Sequence, residues 1–177
     1  MSRPAPGEVG QPIEVAEDEL TFLLREALAR GDASVSFVWR GLDSELAVDV
    51  GRVRVALREG LMLVGLPVRC DQAGGGRGEG TELVVPVAVG TPAGSAGLVG
   101  TVETSARSAS ALVVAVWGET AVAATWLAFL EVCQRVAERA GEDARCQPMM
   151  PGAVWALPGV LGVVPQARHA IDRAALP

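Results

Sequence analysis

Few residues in this chain could do acid–base or nucleophilic chemistry. There is a single histidine, His169, three residues before Asp172. On a helix that spacing lets the two side chains touch. A carboxylate orienting a general base would have this geometry, but so would a surface ion pair, which is the commoner meaning. AGSAG (93–97) approaches the nucleophile elbow G-x-S-x-G, with Ala93 in the first glycine position. The elbow must lie between a strand and a helix, whereas Leu98–Thr104 reads as a strand. A triad built on it would need His169 as base and Asp143 or Asp172 as orienter. Small residues between two strands are ordinary loop composition.

GGGRGEG (74–80) invites a phosphate-loop reading. The chain has no lysine to complete a P-loop, and Thr81 stands where the dinucleotide motif G-x-G-x-x-G needs its last glycine. The next segment reads as a strand, so no helix N-terminus faces a phosphate. Glu17, Asp18 and Glu19 are consecutive on a helix, so they point in different directions and fit N-terminal dipole compensation rather than a cation. Asp43, Glu45 and Asp49 lack EF-hand spacing. Cys70, Cys133 and Cys146 are widely spaced, with no C-x-x-C and no histidine at ligand distance, which argues against zinc. No catalytic residue, cofactor or metal is therefore expected. An enzyme would need acids such as Asp49, Asp71 or Glu103 to converge from distant strands.

The elements that must position these residues follow from composition and periodicity. The chain has 177 residues, half of them apolar, which suits one domain with a sizeable core. Lys, Tyr and Asn are absent and Ile occurs twice, the signature of a GC-rich bacterial genome. All fifteen positive charges are therefore Arg, so arginine is no sign of phosphate reading. Net charge is −6, which argues against nucleic acid. There is no apolar leader in MSRPAPGEVGQP and no uncharged apolar run of ~18 residues. A cytoplasmic protein with reduced thiols is expected.

Residues 1–13 read as a flexible tail and 14–177 as a single α+β domain. A helix is predicted over Glu14–Arg30, with Leu20, Leu23, Leu24, Ala27 and Leu28 on its buried face and Gly31 as its stop. Strands are predicted at Ser34–Trp39, Glu45–Val50, Arg52–Leu57, Leu61–Arg69, Glu82–Val89, Leu98–Thr104 and Ala111–Trp117. Arg58-Glu59-Gly60 should turn one hairpin. Arg52 and Arg54 should share a solvated face, opposite Val53, Val55 and Leu57. Residues 71–80 read as a flexible loop. A long helix is predicted over Thr120–Ala140, its first half buried nearly all round, with Gly141 as its stop. Trp39, Trp117 and Trp126 fall in core patterns. The sheet should be mostly antiparallel, of five or six strands, flanked by the two helices.

The remaining segment, 148–177, is apolar and proline-rich and should end in a short helix over Gln166–Ala175. Its core, PGAVWALPGVLGVVP (151–165), has no charge and three prolines. Pro158 excludes a spanning helix, and without a polar basic face a membrane anchor is not expected. An irregular cover over the sheet or over a neighbouring subunit is expected instead, because an uncovered patch of this kind would be large for a monomer. The candidate interface is Trp155, Val154, Leu157, Val160 and Leu161.

In element order alone, residues 14–140 resemble small acidic α+β domains such as the type III secretion chaperones and the YbjN proteins. Those are helix-flanked antiparallel sheets, commonly dimeric, that bind other proteins. The unbroken strand series departs from the chaperone pattern. The resulting expectation is a non-enzymatic, homodimeric adaptor or chaperone-like protein acting through protein contacts. The alternative is a binder of an apolar small molecule or lipid between sheet and helix.

Overall fold

A computed structural model describes residues 10–29, 36–40, 44–72, 80–93, 111–142 and 146–168. The order is β1 (Ile13–Ala16), α1 (Glu17–Leu28), β2 (Ser36–Arg40), β3 (Ser44–Asp49), a 3-10 turn (Val50–Arg52), β4 (Arg54–Arg58), β5 (Leu61–Gln72), β6 (Gly80–Ala88), α2 (Ala111–Glu138), β7 (Met150–Leu157) and β8 (Val160–Gln166). The class is α+β with antiparallel pairing and a long C-terminal helix, as the patterns predict. The strands, however, form two sheets.

The larger sheet is built around β5. Strand β6 pairs along one edge of β5, from Leu61 to Arg69. The opposite edge is shared: β4 pairs with Leu61–Gly65 and β3 with Val68–Gln72. The Val50–Arg52 turn carries the chain from one to the other, and β2 lies outside β3. Strand alternation turns Val53, Val55 and Leu57 inward while Arg54 faces water. The Glu59-Gly60 turn joins β4 to β5 as predicted, with Gly60 at φ +66°, a conformation glycine adopts without strain.

The smaller sheet corrects two expectations. Residues 13–16 do not begin the first helix; they form β1, whose partner is β8, with Ile13 opposite Val163 and Ala16 opposite Val160. Tertiary pairing overrides local helical periodicity there, and α1 starts at Glu17. The 151–165 stretch is not irregular. It is the β7–β8 hairpin, with Leu157 opposite Val160 across Pro158-Gly159. Proline fixes the φ of the first turn position, and Gly159 supplies the left-handed φ of +80° at the second.

The two sheets meet at a corner of backbone hydrogen bonds. Gly60 N–H donates to Ala156 O (3.0 Å) and its carbonyl accepts from Val89 N–H (2.9 Å). Gly90 N–H donates to Val154 O (3.1 Å), and Ala156 N–H to Gly90 O (3.0 Å).

Both helices pack inside this angle, against each other and against both sheets. Helix α1 buries Leu20, Leu23, Leu24 and Ala27, as its spacing predicts. Helix α2 corrects a third expectation: Ala111–Trp117 is its first two turns, not a strand. Val113, Trp117, Ala121, Thr125, Ala128 and Val132 are buried at helical spacing. That period runs unbroken through Gly118, which is itself buried. The helix ends before Gly141, at φ +90°, whose N–H donates to Glu138 O (3.0 Å).

Candidate functional site

The five residues of the candidate interface do not form one surface. Alternation along the β7–β8 hairpin divides them between two faces. Val154 and Leu161 are fully buried in the main core, beside Val15, Ala156 and Val163. Trp155 and Val160 belong to a second cluster on the opposite face, with Ala153 and Val164. Trp155 is only 7 % exposed, and its indole lies across Gly162, its partner on β8. A Cβ on Gly162 would come within 2.0 Å of Trp155 Cε2. Leu157 alone is exposed. The apolar stretch is therefore folded inward, and Trp155 covers a glycine of its own hairpin.

Several expectations fall outside the described residues: Gly31, loop residues 73–79, the serine of AGSAG, Leu98–Thr104 with Glu103, Asp143, His169, Asp172, the final helix beyond Arg168, and the side chain of Trp39. The described acids do not converge. Glu17 Oε2 accepts from Leu57 N–H (2.7 Å), and Glu19 Oε1 pairs with Arg139 Nη1 (2.7 Å). Asp71 Oδ2 pairs with Arg69 Nε (3.3 Å), while Asp49 lies four residues along β3 from Glu45, the residue opposite Asp71. Among the described residues no three His, Cys, Asp or Glu side chains could hold a metal ion. Of the three free thiols, Cys133 is buried in α2, and desolvation pushes it from 9.0 to about 12. At neutral pH it is a protonated, unreactive core residue. Between α2 and the sheets, where the alternative reading places a small-molecule pocket, Met62, Leu66, Leu83 and Phe129 are packed with under 2 % exposure.

Two surfaces stand out among the described residues. One is a depression of about 650 Å³ on the outer side of the larger sheet, lined by Asp49, Arg52, Arg54, Pro67, Arg69 and Glu82 among others. Its floor is made possible by Gly65, where a Cβ would stand 2.5 Å from Glu82 Oε1. The missing side chain lets the Glu82 carboxylate lie across β5 and pair with Arg54 Nη2 at 2.7 Å. Sequence alternation indicated the solvated Arg54 but could not show its partner 28 residues away. Its lining carries three arginines, Arg52, Arg54 and Arg69, against two acids, Asp49 and Glu82, all open to solvent screening, and holds no histidine or cysteine.

The second surface is the outer side of α2. Leu112 is 64 %, Val116 51 % and Leu127 58 % exposed. Ala115, Glu119, Thr120 and Ala123 are exposed with them. At 100° per residue, 112, 116, 119, 123 and 127 fall within an arc of about 80°. The expectation that this half-helix is buried nearly all round is thus corrected: both sides are apolar, but only one is covered. Among the described residues α2 is the one helix long and apolar enough to cross a membrane, with 39 % of its most apolar window buried in the fold.

No family model, curated protein or solved structure matches the chain.

Proposed function

We propose that the protein is a non-enzymatic cytoplasmic adaptor or chaperone-like protein that works through protein–protein contacts and self-associates. The observation that carries this reading is the solvent face of α2. A helix that is apolar all round has two faces to bury, and the fold buries one. Contiguous exposed leucine and valine on a long helix are the feature that helix-binding partners use, at i, i+4 and similar spacings.

A lipid surface fits this face less well. Residues 111–130 contain Glu119 as their one charge and no arginine to lie among head groups. Their inner side is tied into the core through Val113, Trp117, Ala121 and Phe129, so spanning a bilayer would dismantle the fold. The free thiols suit a reducing compartment.

The test is a photo-reactive residue in place of Ala115, at the margin of the stripe, with the same residue in place of Glu138 as control. A protein–protein adduct is expected in the producing cell from position 115 and not from 138. If position 115 gives no protein adduct, the reading fails.

A further inference from the structure

We infer that the depression on the outer side of the larger sheet is a binding site for a small polycarboxylate. It is independent of the α2 face. Side chains two apart on a strand share a face, so Arg69, Pro67 and Gly65 lie in line along β5. Ala47 on β3 and Gly80 on β6 stand opposite Arg69, and Arg54 on β4 stands opposite Gly65. Proline and small residues therefore make the floor, and an arginine rises at each end. From Arg69 to Gly65 is about 13 Å along the strand, a span that two guanidinium side chains can close on a ligand lying over Pro67. Arg52, on the turn before β4, lines the same depression. A volume of about 650 Å³ suits a small molecule.

The ligand class follows from what this surface already holds. The Glu82 carboxylate lies across β5 over Gly65 and accepts from Arg54 Nη2 at 2.7 Å. A carboxylate thus fits flat on the sheet with an arginine at its edge. Donors remain in excess, because each guanidinium offers five N–H groups in a plane. Arg54 gives only Nη2 to Glu82, and Arg69 gives only Nε to Asp71, which leaves both terminal nitrogens of Arg69 open. Among the described residues Arg52 has no ion-pair partner. Three arginines against two acids leave the lining at +1 at neutral pH, in a chain of net charge −6. The open donors of Arg52 and Arg69 match carboxylate oxygens two at a time. A ligand with two or more carboxylates engages both arginines at once. All three arginines are exposed, so binding is reversible and weakens with salt.

The probe is tricarballylate, titrated into the full chain at low ionic strength and followed by nitrogen–proton correlation spectra. Saturable shifts are expected at the amides of Ala47, Arg54 and Arg69, and none at Ala115 or Leu127 on α2. Arg52→Ala and Arg69→Ala should each weaken binding by about two- to fivefold, the loss of one exposed charged contact. The double variant should lose the saturable shifts and keep its melting temperature. Glu82→Gln should tighten binding by a similar factor, since it frees Arg54 and removes a like charge. Acetate, with one carboxylate, should give no saturable shifts at the same concentrations. A wild type without saturable shifts, shifts that survive the double variant, or weaker binding by Glu82→Gln would each overturn the site. Pyrophosphate binding more tightly than tricarballylate would overturn the carboxylate assignment in favour of phosphates.

Discussion

Single residues account for two places where a side chain lies across its own sheet. Gly65 leaves room for the Glu82 carboxylate, and Gly162 leaves room for the Trp155 indole. Gly162→Ala should therefore cost about 1–3 kcal/mol by overpacking, read as a lowered urea midpoint. In a Trp155→Ala background the same substitution should cost almost nothing, since the clashing ring is gone. Equal costs in the two backgrounds would refute the account. Cys133 makes a prediction about pH. Its thiol is raised from 9.0 to about 12 in the folded chain, so the folded state holds its proton more tightly than the unfolded state does. The resulting stability is fully present below pH 9, declines as pH rises through 9 toward 12, and is lost above that. Denaturant titrations at pH 8 and pH 10.5 should show a smaller loss for Cys133→Ala than for wild type.

At the scale of elements, α1 does more than supply an apolar stripe. Its side chains close the free edge of β4. Glu17 Oε2 accepts from Leu57 N–H at 2.7 Å, and Arg25 donates from Nε and Nη2 to Val53 O at 3.0 and 2.7 Å. An open strand edge is a template for aggregation, and these contacts occupy it. Glu17→Ala should strip one part-buried amide of its partner, at a cost of about 1–3 kcal/mol. Hydrogen exchange at Leu57 should accelerate while Val64, at the centre of β5, stays protected; Arg25→Ala should leave the Leu57 amide slow. What was legible in the sequence here was periodicity. Leu20, Leu23, Leu24 and Ala27 fixed the inner face of α1, and the alternation of Val53, Val55 and Leu57 fixed that of β4. The clamp joins residues 28 and 40 positions apart, and no local pattern encodes such a distance. The errors have equally local causes. Valine-rich ALVVAVW favours a strand by propensity, but its period continues as a helix through Trp117 and Ala121. Pro158-Gly159 is a turn signal in its own right, and the density of prolines and glycines around it concealed two strands.

At the scale of the whole molecule, the α+β class and the long C-terminal helix were legible, while the division into two sheets was not. That division depends on β1 leaving α1 to join β8, a pairing between residues 13–16 and 160–163. The candidate site moved for a related reason. Once 151–165 is a hairpin, its two faces are spoken for, and among the described residues the row of exposed leucine and valine lies on α2 instead. The surface pairs between α1 and α2, Arg135–Glu26 at 3.0 Å and Arg139–Glu19 at 2.7 Å, hold the helices in register but add little to stability. The β1–β8 pairing also has a consequence for manufacture. A ribosome releases β1 some 145 residues before β8, so β1 waits through that stretch of synthesis for its neighbour. Until then Ile13 and Val15 belong to no sheet, and the inner corner that receives α2 lacks one wall. The smaller sheet thus closes only after β8 is made, and a message cut short before β8 leaves β1 exposed to proteases and holdases.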